Sequence, residues 1–185
     1  SNLSTLSWDV GDLFEHVFEN PTDTLPDVDG PFALACTDGD RLVVATDKLG
    51  TRPVYYAEAD GDFVFGSNLN QVADTLSDPT IDERAVGDLL MIGHVWGNKT
   101  LLEEVTFLDC GSALEYEDGA TDVRHYWDFE FDTRPKASFR SNVASAYRTA
   151  VRDSAATMEG SSVGLWLSGG LDSRTLAAEL SQHVP

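Results

Sequence analysis

The stretch FALACTDGDRLVVAT, residues 32–46, decides most of the fold. Two apolar runs, 32–36 and 41–46, flank the dipeptide Asp38-Gly39. An Asp-Gly pair between apolar runs is a strong hairpin signal, because both residues tolerate the positive φ angles of a tight turn. We therefore predict two antiparallel strands joined at Asp38-Gly39.

Similar short runs continue along the chain. Asp-Gly pairs at 60–61 and 118–119 recur between them, which indicates antiparallel sheets. Further strands are predicted at 54–57, 63–65, 102–107, 112–117 and 123–127. Apolar residues at helical spacing predict helices at 8–19, 68–76, 81–91 and 139–158. Ser7 is a candidate cap for the first helix, and the polar stretches 22–30, 93–100 and 128–137 are predicted as loops or linker.

A second pattern, LWLSGGLDS at residues 165–173, is of a different kind. The apolar run 163–167 predicts a buried strand, Ser168-Gly169-Gly170 a sharp turn, and the residues from Ser173 onward a helix. A strand, a glycine turn and a helix N-terminus together present N–H groups and a positive dipole to an anion, so the pattern predicts phosphate binding. Asp172 would repel phosphate unless a cation lies between them, which predicts Mg²⁺. The alternative is a glycine turn that binds nothing.

The same residues resemble the pyrophosphate loop of ATP pyrophosphatases, and the form LSGGLDS is similar to that of the asparagine synthetase branch. No Gly-Lys-Ser/Thr follows, so this is not the ordinary Walker loop. The resemblance implies that Leu167, Ser168, Gly169, Gly170, Leu171, Asp172 and Ser173 hold ATP and pyrophosphate, with Asp172 on Mg²⁺. Trp166 and Leu167 would lie near the adenosine.

The earlier part of the chain resembles the same family in the same order. DGPFALA at 29–35 resembles its DGxFAxA strand, and ATDKLGTRPVYY at 45–56 resembles ARDxxGxxPLYY. FGSN at 65–68 stands where FASE is usual, and GHVWGNKTL at 93–101 is similar to GYVPxxxTL. Nearly all of residues 29–182 is covered.

The resemblance implies an α+β fold with two stacked antiparallel sheets between helical layers, of the N-terminal-nucleophile hydrolase type. Residues 1–131 would form this glutamine amidotransferase-like domain, and residues 132–185 the first strand and helix of an α/β synthetase domain. A lone strand cannot form a parallel sheet, so we expect a fragment that ends just inside its second domain. The parent enzyme would use ATP and Mg²⁺ to adenylate aspartate and would aminate it with glutamine-derived ammonia. The fragment itself is expected to be inactive and to bind neither ATP nor Mg²⁺.

The nucleophile of the family does not have a counterpart here. The family uses a cysteine at position one with its own α-amine as base, whereas this sequence begins Ser1-Asn2; the catalytic residue is unknown. Asp9 lies about where the family holds the glutamine amine, but we favour a role in the first turn of a helix. Either the N-terminus is missing or the glutaminase half is degenerate, as in β-lactam synthetases. A cyclase of that kind and a non-catalytic scaffold module are the alternative functions.

The remaining candidate residues have ordinary structural interpretations. The four histidines, His16, His94, His125 and His183, have no metal-ligand spacing. Asp47 and Arg52 are expected to pair across their tight turn. Arg174 either contacts a phosphate or faces solvent, and we favour solvent. Ser168 and Ser173 are not proposed as nucleophiles, because no histidine is placed to activate them.

The composition limits the partners and the compartment. The formal net charge is −20, from 32 acidic and 12 basic residues, which argues against nucleic acid because phosphate neutralisation needs cations. No apolar run is long enough to span a membrane. Cys36 and Cys110 form no disulfide or metal pattern, so a reducing cytoplasm is expected. Small molecules (ATP, aspartate and glutamine) are the expected partners, with a homodimer as the one assembly considered.

The acidic residues are spread along the whole chain. The simple interpretation is an acidic, soluble surface, but we favour adaptation to a halophile's cytoplasm, where concentrated salt screens self-repulsion. The thermal midpoint should therefore rise clearly in molar KCl relative to dilute buffer, as measured by circular dichroism. A midpoint that salt leaves unchanged would remove this interpretation.

Overall fold

The computed structural model describes residues 9–59, 61–131, 133 and 135–184. The sequence assignments at Ser7, Trp8 and Asp60 lie outside these residues. The helices are α1 (Val10–Glu19), α2 (Pro21–Thr24), a 3-10 turn (Leu25–Asp27), α3 (Leu69–Ala73), α4 (Glu83–Ile92), α5 (Lys136–Ala156) and α6 (Leu171–Leu180). The strands are β1 (Ala33–Thr37), β2 (Arg41–Thr46), β3 (Tyr55–Ala59), β4 (Asp62–Gly66), β5 (Val105–Phe107), β6 (Ser112–Glu117) and β7 (Ala120–His125).

The strands form two sheets, and every pairing is antiparallel. The first sheet has the order β1-β2-β6-β7 and the second the order β4-β3-β5. The hairpin predicted at Asp38-Gly39 is confirmed. The Asp38 carboxylate accepts the N–H groups of Asp40 (3.0 Å) and Arg41 (2.9 Å), and Gly39 supplies the positive φ of 106°.

The two sheets are stacked between helical layers, as the side chains that alternate between the two faces of β2 show. Val43 and Ala45 pack with Leu13, Val17 and Leu25 of the first helices, and all five are buried.

Val44 points to the opposite face and packs with Val54, Leu108 and Leu114 in a second cluster. A third cluster joins Ala57 and Val105 of the second sheet to Val72 of α3. Because β2 is apolar on both faces, it is covered on both sides by other elements of the fold. The predicted α+β class with layered antiparallel sheets is therefore confirmed.

Several stretches of this first unit differ from the predicted elements, among them β7, which was expected at 123–127, and α3, which ends at Ala73 and not at 76. The loop predicted at 22–30 contains α2 and the 3-10 turn, because Pro21 suits the first helical position and Leu25 is fully buried. The strand predicted at 102–107 begins only at Val105, since Thr100 Oγ1 accepts the N–H of Leu102 (3.1 Å) and holds a turn there.

Gly111 is the tightest junction of the first unit. Its φ is +60°, and a Cβ at this position would lie 2.7 Å from the backbone oxygen of Trp127. We expect Gly111→Ala to cost about 2–4 kcal/mol, since left-handed strain and a backbone clash add. The control is Gly119→Ala, where φ is +78° but no atom lies within 4 Å of the new Cβ. Urea unfolding should show the larger loss at Gly111; equal losses would exclude the clash.

The chain divides after Phe129 into two compact units. In the second unit α5 and α6 form, and Arg148 lies 3.7 Å from Glu179 across them. The buried strand predicted at 163–167 is wrong for this structure: the segment is exposed and pairs with no strand among the described residues. A strand needs a neighbour to take its backbone hydrogen bonds. No helix in the described ranges has the length and apolar character needed to cross a bilayer.

Candidate functional site

The turn after β2 is organised by one buried carboxylate. Asp47 is only 3% exposed. It accepts hydrogen bonds from the N–H groups of Phe32 (3.2 Å), Leu49 (2.9 Å) and Thr51 (3.1 Å) and from Thr51 Oγ1 (2.5 Å). One side chain therefore fixes the turn 47–51 and joins it to the segment before β1.

These donors determine the charge state of Asp47. Burial disfavours the carboxylate, but the hydrogen bonds from Thr51, Leu49 and Phe32 outweigh it and hold the pKa of Asp47 below its ordinary value. The expected pair with Arg52 is wrong: no ion pair joins these two described residues, because the carboxylate oxygens are taken by the turn itself.

Tyr126 closes the other side of the turn. Its hydroxyl donates to the Thr46 carbonyl (2.6 Å), and Thr46 Oγ1 donates to the Asp109 carbonyl (2.6 Å). Burial, followed by the charges of Asp47 and Cys110, raises the pKa of Tyr126. These contacts join residues up to 80 positions apart, so local sequence patterns gave no signal for them.

A cavity of about 320 Å³ lies beside this turn. Its walls are mainly apolar, and Lys48 donates to Asp29 (2.8 Å) among the lining residues. The lining residues are Val28, Asp29, Gly30, Pro31, Asp47, Lys48, Leu49, Thr51 and Trp127. Neither Cys36 nor Cys110 lines it, and its one hydroxyl, on Thr51, is bonded to Asp47. The turn therefore shapes a cavity but supplies no nucleophile to it.

The second candidate site is the segment 167–173 in the other unit, where the two serines meet. Ser168 Oγ and Ser173 Oγ are 2.9 Å apart, and the N–H groups of Ser168 and Gly170 donate to Ser173 Oγ and Ser168 Oγ, each at 3.2 Å. The turn is thus closed by its own hydroxyls. Helix α6 starts directly after it, at Leu171.

This arrangement fits a phosphate group. No side chain caps the α6 N-terminus, so its first N–H groups lack an acceptor within the helix and carry the positive end of the dipole. A Cβ at Gly169 would meet no atom within 4 Å, so space is open beside the turn. Trp166 and Leu167, expected near the adenosine, are both exposed.

The residues of this loop fit Mg²⁺ only when phosphate oxygens serve as further ligands of the metal. Asp172 lies in the first turn of α6, yet no group of three or more His, Cys, Asp or Glu side chains in the described part of the chain is placed to hold a metal. Since protein-bound Mg²⁺ often takes one or two carboxylates plus substrate phosphates, Asp172 suits a metal that arrives with phosphate.

Three polar residues have local structural roles. Asp9 caps α1 by accepting the N–H of Asp12 (2.9 Å), which agrees with the favoured helical role. Asn68 caps α3 by accepting the N–H of Asn70 (2.9 Å). Arg174 is exposed, as favoured, and its Nε also donates to the Gly170 carbonyl (3.1 Å), so it braces the loop.

Comparison with known proteins identifies the family of the first unit. The model of the glutamine amidotransferase domain family matches residues 9–127. Asparagine synthetase [glutamine-hydrolyzing] 3 of Bacillus subtilis (strain 168) is 27% identical over 182 residues, which cover 92% of this chain and 28% of that protein. The chain thus spans little more than a quarter of this relative.

The chain is also similar to a solved structure, the glutamine phosphoribosylpyrophosphate (PRPP) amidotransferase of B. subtilis in complex with ADP and GMP. It is 14% identical and has a TM-score of 0.39, and the match covers 97% of this chain and 38% of that chain. A similarity this low supports no conclusion about this chain. The family match, by contrast, covers more than half of the chain. The chain therefore belongs to the glutamine amidotransferase domain family.

Proposed function

We propose that this chain belongs to an asparagine synthetase-like ligase, of which it holds an amidotransferase domain and the ATP loop of the synthetase domain. The observation that carries the proposal is the SGGLDS turn after an amidotransferase domain, in a chain that aligns over 182 residues with an asparagine synthetase. The reaction would join an amine to aspartate through an acyl-adenylate, in the cytoplasm.

The loop residues have separate tasks in this proposal. The first N–H groups of α6 and the hydroxyls of Ser168 and Ser173 would bind the pyrophosphate oxygens, and the hydroxyls would exchange their present mutual contact for contacts with the ligand. Asp172 would hold Mg²⁺, and Arg174 would keep the turn in place through Gly170. Bound Mg²⁺ neutralises negative charge on the phosphates. Donors fixed before the reaction stabilise charge that develops on the leaving group.

The glutamine half of the proposal rests on the family match and not on an identified nucleophile. Asp9 uses its carboxylate as a helix cap, and neither cysteine lines the cavity of the first unit. A β-lactam synthetase-like cyclase with a degenerate glutaminase domain is therefore the second candidate, and a scaffold module is the third. What separates them is the source of the amine.

The test uses the full-length product of the gene that contains this sequence. Glutaminase activity and aspartate-dependent exchange of pyrophosphate into ATP support asparagine synthesis. Exchange that needs another carboxylate substrate and no glutamine supports a cyclase. If both activities are absent, the scaffold module is supported. The isolated 185-residue chain with ATP and Mg²⁺ should show little or no binding by calorimetry. Tight binding would show that the loop is complete by itself.

A further inference from the structure

Arg174 occupies a position where a helix does not favour a positive charge. Gly170 is the N-cap of α6, so Arg174 is the fourth residue of the helix. The first turn carries the positive end of the helix dipole, which stabilises anions and disfavours cations. An arginine here therefore costs the helix free energy as long as no anion is bound. Local conflicts of this kind are expected at functional sites.

The side chain of Arg174 turns back toward the start of the helix. Its Nε donates to the carbonyl oxygen of Gly170 (3.1 Å). This direction agrees with the tilt of helical side chains toward the N-terminus, which brings residue i close to residue i−4. The guanidinium group therefore lies beside the glycine turn that precedes α6.

Most of the hydrogen-bond donors of Arg174 are available to a ligand. A guanidinium group carries five N–H groups, and the bond to Gly170 uses only the one on Nε. In the same unit Arg148 and Arg152 have carboxylate partners, at 3.7 and 2.9 Å. Among the residues that the structure describes, no carboxylate forms an ion pair with Arg174. The two Nη atoms of this exposed side chain can therefore donate to an anion.

The charge of the segment also depends on Arg174. Between Gly160 and Ala178, Asp172 is the only acid and Arg174 is the only base. Without Arg174 this segment would be negative, in a chain whose net charge is already −20, and would repel a polyanion. With Arg174 the segment is formally neutral, so a polyanion can approach the first N–H groups of α6.

We propose that Arg174 binds the pyrophosphate group of ATP through its two Nη atoms. This role rests on the proposed function, and it adds to the pyrophosphate site a residue that lies outside the loop 167–173. Arginine suits the role because its planar fork can donate two parallel hydrogen bonds to phosphate oxygens. The bond from Nε to Gly170 holds the fork in place, so less side-chain freedom is lost when the ligand binds.

The test measures the binding of magnesium pyrophosphate and of AMP to the full-length product of the gene, by titration calorimetry. Arg174→Gln should raise the Kd for pyrophosphate at least ~10-fold, because hydrogen bonds from a charged donor are lost. The Kd for AMP, which has no pyrophosphate group, should not change. Arg140→Gln removes the same charge from an exposed position on α5 and should change neither value.

Arg174→Lys separates the shape of the fork from its charge. Lysine keeps the positive charge but cannot donate two parallel hydrogen bonds from a planar fork. Its Kd for pyrophosphate should therefore lie between those of wild type and Arg174→Gln. Since Arg174 is exposed, the thermal midpoint of both variants should stay close to that of wild type. If Arg174→Gln is destabilised, the rise in Kd expected for Arg174→Lys carries the test.

Three results would overturn the proposal: an unchanged Kd for pyrophosphate in the variants, an equal loss of affinity for pyrophosphate and AMP, or a wild-type protein that binds no pyrophosphate. The second would mean that Arg174 only shapes the turn. If pyrophosphate binding depends on Arg174 but no carboxylate substrate supports exchange, the role of Arg174 stands and the ligase function fails. If wild type catalyses exchange and Arg174→Gln binds pyrophosphate normally, the ligase function stands and this role fails.

Discussion

Replacing Asp47 by alanine should remove about 3–5 kcal/mol from the free energy of unfolding. The carboxylate is buried and accepts four hydrogen bonds from Phe32, Leu49 and Thr51. Without it those part-buried donors lose their acceptor, and each donor that water cannot reach costs about 1–3 kcal/mol. The turn 47–51 would also lose its link to the segment before β1. Guanidinium unfolding followed by tryptophan fluorescence measures the loss.

Asp38→Ala is the matched control for this experiment. Asp38 also accepts two backbone N–H groups in a tight turn, but it is exposed, so water replaces the lost acceptor. We expect a much smaller loss there. If the two variants were equally destabilised, the burial of Asp47 would not be the source of its effect.

The pH dependence gives an independent check on the same residue. The pKa of Asp47 is lower in the folded state than its ordinary value of about 4. Its contribution to stability is therefore fully present above the unfolded pKa and is lost as pH falls through the folded pKa. Wild-type stability should fall more steeply below about pH 4 than that of Asp47→Asn, which has no carboxylate to protonate. Parallel pH profiles would contradict this assignment.

Local sequence signals were sufficient for the hairpin and for most helices. Asp38-Gly39 needs only its own side chain and backbone freedom to turn the chain, so the pattern and the structure agree. The strand predicted at 163–167 needs a partner strand, and no periodicity within the run reports whether one is present. That is why an apolar run from Val163 to Leu167 remains exposed.

The two candidate sites differ in the same way. The loop 167–173 remains a prediction from its glycine pattern, and its contacts, such as Ser168 to Ser173, lie within five residues. The Asp47 turn was recognised as structural, but its partners were assigned to Arg52 instead of to Phe32 and Thr51. The bond from Tyr126 to Thr46 joins distant strands, and only the sheet pairing brings those residues together.

In the full-length protein, Asp172→Asn should lower pyrophosphate exchange at least ~100-fold, comparable with the loss of one charge-stabilising group at a transition state. The exposed side chain lies in the first turn of α6, and the substitution removes the only carboxylate of the loop 167–173 while its shape is kept. Asp153→Asn is the control: it removes the same charge from α5, where Asp153 pairs with Arg152 (2.9 Å), and exchange should not change. Retained exchange in Asp172→Asn would show that this residue holds no metal.

Gly169→Ala tests whether the space beside the same loop is used, because it adds a methyl group without changing the charge. A Cβ at Gly169 meets no protein atom within 4 Å, and its φ is not positive, so the thermal midpoint should stay close to that of wild type. If phosphate occupies the open space, the added methyl group will raise the KM for ATP. Gly164 lies five residues earlier in equally open surroundings, so Gly164→Ala should change neither the thermal midpoint nor the KM for ATP. A Gly169 variant with normal stability and normal KM would show that the phosphate lies elsewhere, even if Asp172 proves essential.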